Sequence, residues 1–274
     1  VDERVSIDDL RADPIRLSMA FGGASHPWIP LPRALFEPER ANSEGLDWSD
    51  ESALKEIASA IGVFDSCRFE AGPLVCVAVN PGTTHPVISP ADHADVVGSV
   101  ADASQETVET ALSAAVAAEK DWGSIHPEKR ASMLSRAADL FEQDRPGLMA
   151  LAIREAGKSL PNAVAEVREA VDFLRYYACR IRTAPAGTPI GTVACISPWN
   201  FPLAIFVGQG GAALAAGNVV LAKPAEQTPL IAYRAVRLLH EAGIPAQALQ
   251  FLPGPGDSVG AQLVSDSRVK GIMF

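Results

Sequence analysis

A chain of 274 residues with 48% hydrophobic and 20% charged content can close a sizeable core, as one large domain or two modest ones, and is not disordered. Its net charge of −10 argues against nucleic acid or an anionic membrane as partner, since both need a basic face. The cysteines Cys67, Cys76, Cys179 and Cys195 form no CxxC pair, no metal spacing is present and no secretory leader opens the chain; free thiols in a reducing cytoplasm are expected.

Residues 1–66 differ in texture from the rest. Pro27, Pro30, Pro32 and Pro38 lie among Trp28, Trp48 and several charges, which predicts an extended, Pro-ordered strap and then a short helix near residues 52–61. From Gly72 the pattern turns strand-like: residues 74–79 read as a strand ended by the turn Asn80-Pro81-Gly82, and residues 96–100 as another. Helices follow. The first carries Val108, Ala111, Leu112, Ala115 and Val116 at helical spacing, and the second opens at Pro127 with Leu134, Ala137, Ala138 and Phe141 on its buried face. A third follows Pro146 and stops at Gly157, and a fourth covers about 161–182.

The remainder alternates. Strands are expected at 191–197, 219–223, 248–252 and from 271, with helices from Pro202, from Pro229 (Thr228 as N-cap, Gly243 past the end) and near 257–264. The charge-free run 183–222 is too broken by proline and glycine to cross a membrane as a helix. This order makes an α/β fold with a parallel sheet, whose ligands sit beyond the strand C-termini. Three motifs fall there.

Asn200, between Trp199 and Phe201, either satisfies its own turn or offers a free amide as an oxyanion donor. Lys223 and Glu226 are either a solvated pair at a helix start or ligands of ribose hydroxyls, where a carboxylate would repel a 2′-phosphate. Gly254, Gly256 and Gly260 are either a tight strand-to-helix turn or an imperfect dinucleotide fingerprint. Gly157-Lys158-Ser159 is no phosphate loop: Ala152 replaces the required glycine, and a helix precedes it. His26, His85, His93, His126 and His240 are scattered, so no metal site is expected.

PWNFP at 198–202 and KPAEQTP at 223–229, with residues 69–274 around them, resemble the aldehyde dehydrogenase superfamily. More narrowly, SPWNFPLAIF at 197–206, ALAAGN at 213–218 and LPGPGDSVGAQL at 252–263 resemble the glutamate-semialdehyde (1-pyrroline-5-carboxylate) dehydrogenase module of bifunctional proline utilization A flavoenzymes. HPWIPLPRALFEPER at 26–40 resembles the segment that follows their proline dehydrogenase barrel, and the short link at 182–191 fits as well. The resemblance implies a linker over 1–66 and, over 67–274, the N-terminal part of a Rossmann-like NAD-binding domain without its catalytic domain.

It further implies Asn200 as the oxyanion-hole amide. Ser197, Pro198 and Trp199 would line the NAD cleft, Lys223 and Glu226 would meet the adenosine ribose, and Gly256 and Gly260 would border the adenine. Phe201 would pack on the aliphatic part of the aldehyde, and Glu169 would lie near its ammonium group, unless it belongs with Glu166 and Asp172 to a solvated helix face. The family's nucleophilic cysteine and general-base glutamate lie downstream of Phe274, so this chain reads as an inactive piece of a cytoplasmic enzyme. Its parent would hold FAD in an upstream proline dehydrogenase domain and could form a homo-oligomer. The alternative is a stand-alone, non-catalytic module that binds a dinucleotide or a partner protein.

Overall fold

A computed structural model describes residues 6–24, 26, 28–80, 82–183 and 187–274. Pro27, Pro81 and residues 184–186, on which parts of the strap, the turn and the short link fall, lie outside them. The chain divides into two compact units, Val1–Asn42 and Ser43–Phe274.

The first unit is less extended than a strap. Helix α1 (Ile7–Leu10) starts where Ser6 accepts the Asp9 N–H, and α2 (Pro14–Ala20) where Asp13 accepts that of Ile15. Further on, Pro32 opens a single 3-10 turn, Pro32–Ala34, and residues 35–39 turn again, so the prolines there bend the chain rather than extend it. Neither helix buries a side chain.

The second unit opens with α3 (Glu51–Gly62), capped by Asp50. A small sheet follows in the order β1 (Phe69–Ala71), β3 (Val96–Ala101), β2 (Thr84–Ile88), with β1 parallel and β2 antiparallel to β3. The expected strand at 74–79 is not formed. Only Leu74 pairs, through both of its backbone groups with Phe251, and Cys76 instead lines a cavity with Ala114 and Trp122. The strand that does form there, β2, carries Pro86, which an edge strand tolerates because one side of it needs no donor. Gly98 is required at the centre of β3, since a Cβ there would stand 2.1 Å from the Phe69 carbonyl oxygen.

Four helices come next: α4 (Gln105–Gly123), α5 (Pro127–Gln143), α6 (Arg145–Ala156) and α7 (Leu160–Thr183). Their apolar stripes pack together, with Leu112, Leu134, Phe141, Leu151 and Leu174 fully buried. Arg175 of α7 pairs with Asp139 and Glu142 of α5, and Arg154 of α6 closes on Asp95 while donating to the Phe64 and Cys67 carbonyls. That guanidinium holds the Asp95 carboxyl below the usual range.

The main sheet is parallel, in the order β6 (Leu249–Phe251), β5 (Val219–Lys223), β4 (Thr192–Ile196), β7 (Val269–Met273). Helices α8 (Ala204–Ala215) and α9 (Pro229–Glu241) join its first three strands. A π-helical turn, Gly256–Gly260, runs into α10 (Ala261–Ser265) before β7. The chain builds β4, β5 and β6 to one side, then returns to place β7 on the other side of β4. That reversal is where open α/β sheets leave a crevice. No helix among the described residues is long and apolar enough to cross a membrane.

Candidate functional site: three strand ends on one edge

The sheet register sets the site. Ile196 pairs with Lys223, the Ser197 N–H donates to the Lys223 carbonyl at 3.1 Å, and the Leu252 N–H donates to the Ala222 carbonyl at 2.9 Å. The loops after β4, β5 and β6 therefore leave the sheet side by side. Gly254 turns the last of them with φ 145, and a Cβ there would also stand 2.7 Å from Val259.

Glu226 and Gly256 meet directly: the Gly256 N–H donates to Glu226 Oε1 at 2.6 Å. Lys223 is 3% exposed, and its Nζ donates to the Pro224 carbonyl at 3.1 Å. Burial pulls its pKa down, while the carboxylates of Glu226 and Asp102 hold it up. Gly260 lies against the Lys223 stem, since a Cβ on it would be 3.5 Å from Lys223 Cε. Four of the predicted cofactor residues thus form one cluster. It offers an exposed carboxylate and glycine-lined backbone, a surface that suits a ribose and a flat base.

On the neighbouring loop Ser197 is buried, Pro198 half-buried, and Trp199 stands 59% exposed. Trp199 and Glu226 share a groove of about 560 Å³ with His85, His93, Glu155 and Thr228. A larger groove, about 760 Å³, lies by Leu140, Tyr233 and Arg237 and holds none of the motif residues. Asn200 is exposed, which leaves its amide available to a ligand.

Phe201, also exposed, carries the Lys158 ammonium 4.7 Å above its ring. Lys158 Nζ is 3.0 Å from Glu166 Oε1, an ion pair without hydrogen-bond alignment. Glu166 is buried, not part of a solvated face, and its Oε2 accepts the Leu203 and Ala204 N–H groups at the start of α8. Asp172 is likewise engaged, accepting both the N–H and the hydroxyl of Ser43. Glu169 keeps an exposed position, with its pKa raised by partial burial and by Glu166 against the pull of Lys158.

Thr228 occupies the N-cap position of α9, but its hydroxyl finds no partner. The cap comes from α6 instead: Glu155 Oε1 accepts the Leu230 N–H at 2.6 Å and Oε2 that of Ile231 at 2.8 Å. Burial pushes this carboxyl up to about 8, although the two N–H groups favour its charged form. Between about 4.5 and about 8 the folded chain then binds more protons than the unfolded one, so stability falls as pH rises through that window. Urea denaturation at pH 5.5 and pH 8 should show a loss on the order of a few kcal/mol that Glu155→Gln abolishes. An equal loss in the variant would assign the slope to other groups.

Lys158, Glu155 and Glu166 escape a reading of local sequence, because each acts on an element far along the chain. A signal does exist for the two glutamates. Both are acids on helix faces that otherwise bury alanine, valine and leucine.

Comparison with known proteins gives the chain a family. Residues 77–274 match the model of the aldehyde dehydrogenase family. The bifunctional protein PutA of Klebsiella aerogenes is 49% identical over 282 residues, covering 100% of this chain and 22% of that protein. The 1-pyrroline-5-carboxylate dehydrogenase of Anoxybacillus flavithermus is 42% identical over 202 residues, 68% of this chain and 39% of its own length. Among solved structures, the 1-pyrroline-5-carboxylate dehydrogenase from Thermus with bound NAD superposes with a TM-score of 0.79 at 32% identity, over 86% of this chain and 49% of that one. The chain spans about a fifth of the length of its PutA relatives, 22% of the Klebsiella protein. With its strand-end motifs on one sheet edge and a family match from residue 77 to 274, the chain belongs to the aldehyde dehydrogenase family.

Proposed function

We propose that this chain is the cofactor-binding part of an NAD-dependent dehydrogenase that oxidises L-glutamate γ-semialdehyde, the open form of 1-pyrroline-5-carboxylate, to L-glutamate. The observation that carries the reading is the cluster at the strand ends, where Glu226 lies 2.6 Å from the Gly256 N–H and shares its groove with Trp199. The 42% identity to a 1-pyrroline-5-carboxylate dehydrogenase supports the choice of substrate.

In this reading Glu226 and Lys223 hold the adenosine ribose, Gly256 and Gly260 border the adenine, and Ser197, Pro198 and Trp199 line the cleft. Asn200 donates its amide to the oxygen that gains charge when the aldehyde is attacked. Phe201 covers the aliphatic chain of the substrate, and Glu169 faces its ammonium group. NAD, when bound, supplies the hydride acceptor. Cys195 is not the nucleophile, because burial pushes its thiol up to about 12. That role and the general base fall to other parts of a longer cytoplasmic protein, which pairs this activity with an FAD-dependent proline dehydrogenase. The chain by itself is expected not to turn over.

Cofactor choice tests the reading. A carboxylate at the ribose rejects a 2′-phosphate, so equilibrium dialysis should find NADP bound at least ~10-fold more weakly than NAD. Glu226→Ala should narrow that ratio to about threefold or less, chiefly by weakening NAD. Equal affinities in the unmodified chain would overturn the assignment of Glu226.

A further inference from the structure

Neither of the two motif loops is held by a cap of its own. Helix α8 begins without a capping side chain, and so does α9, where the Thr228 hydroxyl is unpartnered. The first amides of a helix need acceptors, and the two oxygens of one carboxyl group can meet that need for two of them. Here the acceptors arrive from behind. Glu155, in the last turn of α6, takes the first free amides of α9, and Glu166, early in α7, takes those of α8. The two helices join through Gly157, whose φ of 65 turns the chain, so one corner of the fold supplies both acceptors.

Each acceptor fixes the point at which a functional loop must end. Residues 224–228 run from the end of β5 to the amides held by Glu155. Residues 197–202 run from the end of β4 to those held by Glu166, where Lys158 joins Glu166 to the ring of Phe201. We propose that Glu155 and Glu166 are positioning residues with separate duties: Glu155 holds the loop that presents Glu226, and Glu166 holds the loop that presents Asn200 and Phe201. The consequence for cofactor affinity rests on the reading of Glu226 above; the positioning itself does not.

A cap with a structural role alone would change stability and leave the far end of the loop in place. Gly256 tells the two apart. Its N–H bonds to Glu226 and belongs to the loop after β6, so it reports where Glu226 stands without bonding to Glu155. The experiment compares the whole chain with Glu155→Gln, Glu166→Gln, Glu226→Ala and the double variant Glu155→Gln/Glu226→Ala. Glutamine keeps the shape of the side chain and can accept one of the two amide bonds. The readouts are the Gly256 amide proton resonance, which a carboxylate acceptor moves downfield, and the dissociation constant for NAD.

Glu155→Gln should move the Gly256 resonance toward its position in Glu226→Ala and weaken NAD by about 5-fold or more. The double variant should bind no more weakly than Glu226→Ala, because the two residues act through one contact. Glu166→Gln should leave both readouts unchanged and alter the emission of Trp199, identified by comparison with Trp199→Phe. An unmoved Gly256 resonance in Glu155→Gln, an equal shift in Glu166→Gln, or additive losses in the double variant would each overturn the proposal. Should the unmodified chain bind no NAD, the cofactor reading fails while the resonance comparison still decides the positioning. If Glu155→Gln does not fold, Glu155→Asp, which keeps the carboxyl group one methylene short, serves the same comparison.

Discussion

Glu166→Ala is expected to lower the unfolding free energy by about 3–5 kcal/mol, measured by urea denaturation at neutral pH. The Glu166 carboxylate is almost fully enclosed, with a side chain 1% exposed, and it meets three groups at once. Two are the Leu203 and Ala204 N–H groups, which would face the interior without an acceptor. The third is the Lys158 ammonium, itself mostly covered, which would lose the partner that offsets its desolvation. Removing one member of a buried pair costs more than the pair is worth, because the surviving charge stays behind. Glu166→Gln keeps one amide acceptor and should lose roughly half as much. A loss below about 1 kcal/mol for the alanine variant would mean that α8 is held by packing alone.

Phe251→Ala should be comparably damaging, at about 3–5 kcal/mol by the same measurement. Phe251 is fully buried in the three-residue strand β6, with its ring edge-on to Phe206 of α8 and Tyr233 of α9 at 6.3 and 5.8 Å. One side chain thus ties the last strand before the glycine turn to both helices that follow the motif loops. Its backbone is also the only point at which Leu74 joins the sheet among the described residues. The cavity should therefore weaken NAD as well as the fold, since the loop bearing Gly254 and Gly256 leaves from this strand. Phe251→Leu refills most of the volume and should cost less than about 2 kcal/mol. Equal losses for leucine and alanine would point to the aromatic edges rather than to volume.

The parts of the fold that local chemistry encodes are those that the sequence makes legible. Continuous apolar runs predict β4 and β5, which the structure buries except at Ile196, the half-buried last residue of β4. Pro127, Pro229, Gly157 and Gly243 mark helix ends where ends are found. Pairing partners are another matter. Residues 74–79 have the composition of a strand yet pair only at Leu74, on the edge strand β6, whereas β2 contains a proline and joins β3 regardless. Distant sequence supplies the rest: Glu155 caps a helix that begins at residue 229, and no pattern near either position pairs the two. The candidate site divides the same way. Asn200 and Glu226 stand out as polar residues at strand ends, while the glutamates that fix their loops show only as acids on otherwise apolar helix faces, with nothing to name the amides they hold.

The central claim is that residues 1–274 carry a cofactor site built around Glu226, and calorimetric titration of NAD into the purified chain tests it most directly. Saturable binding at one site, weakened about tenfold by Glu226→Ala and changed less than about twofold by Asn200→Ala, is the predicted result. Absence of binding in a sample shown to be folded, or equal weakening by the two substitutions, would contradict it.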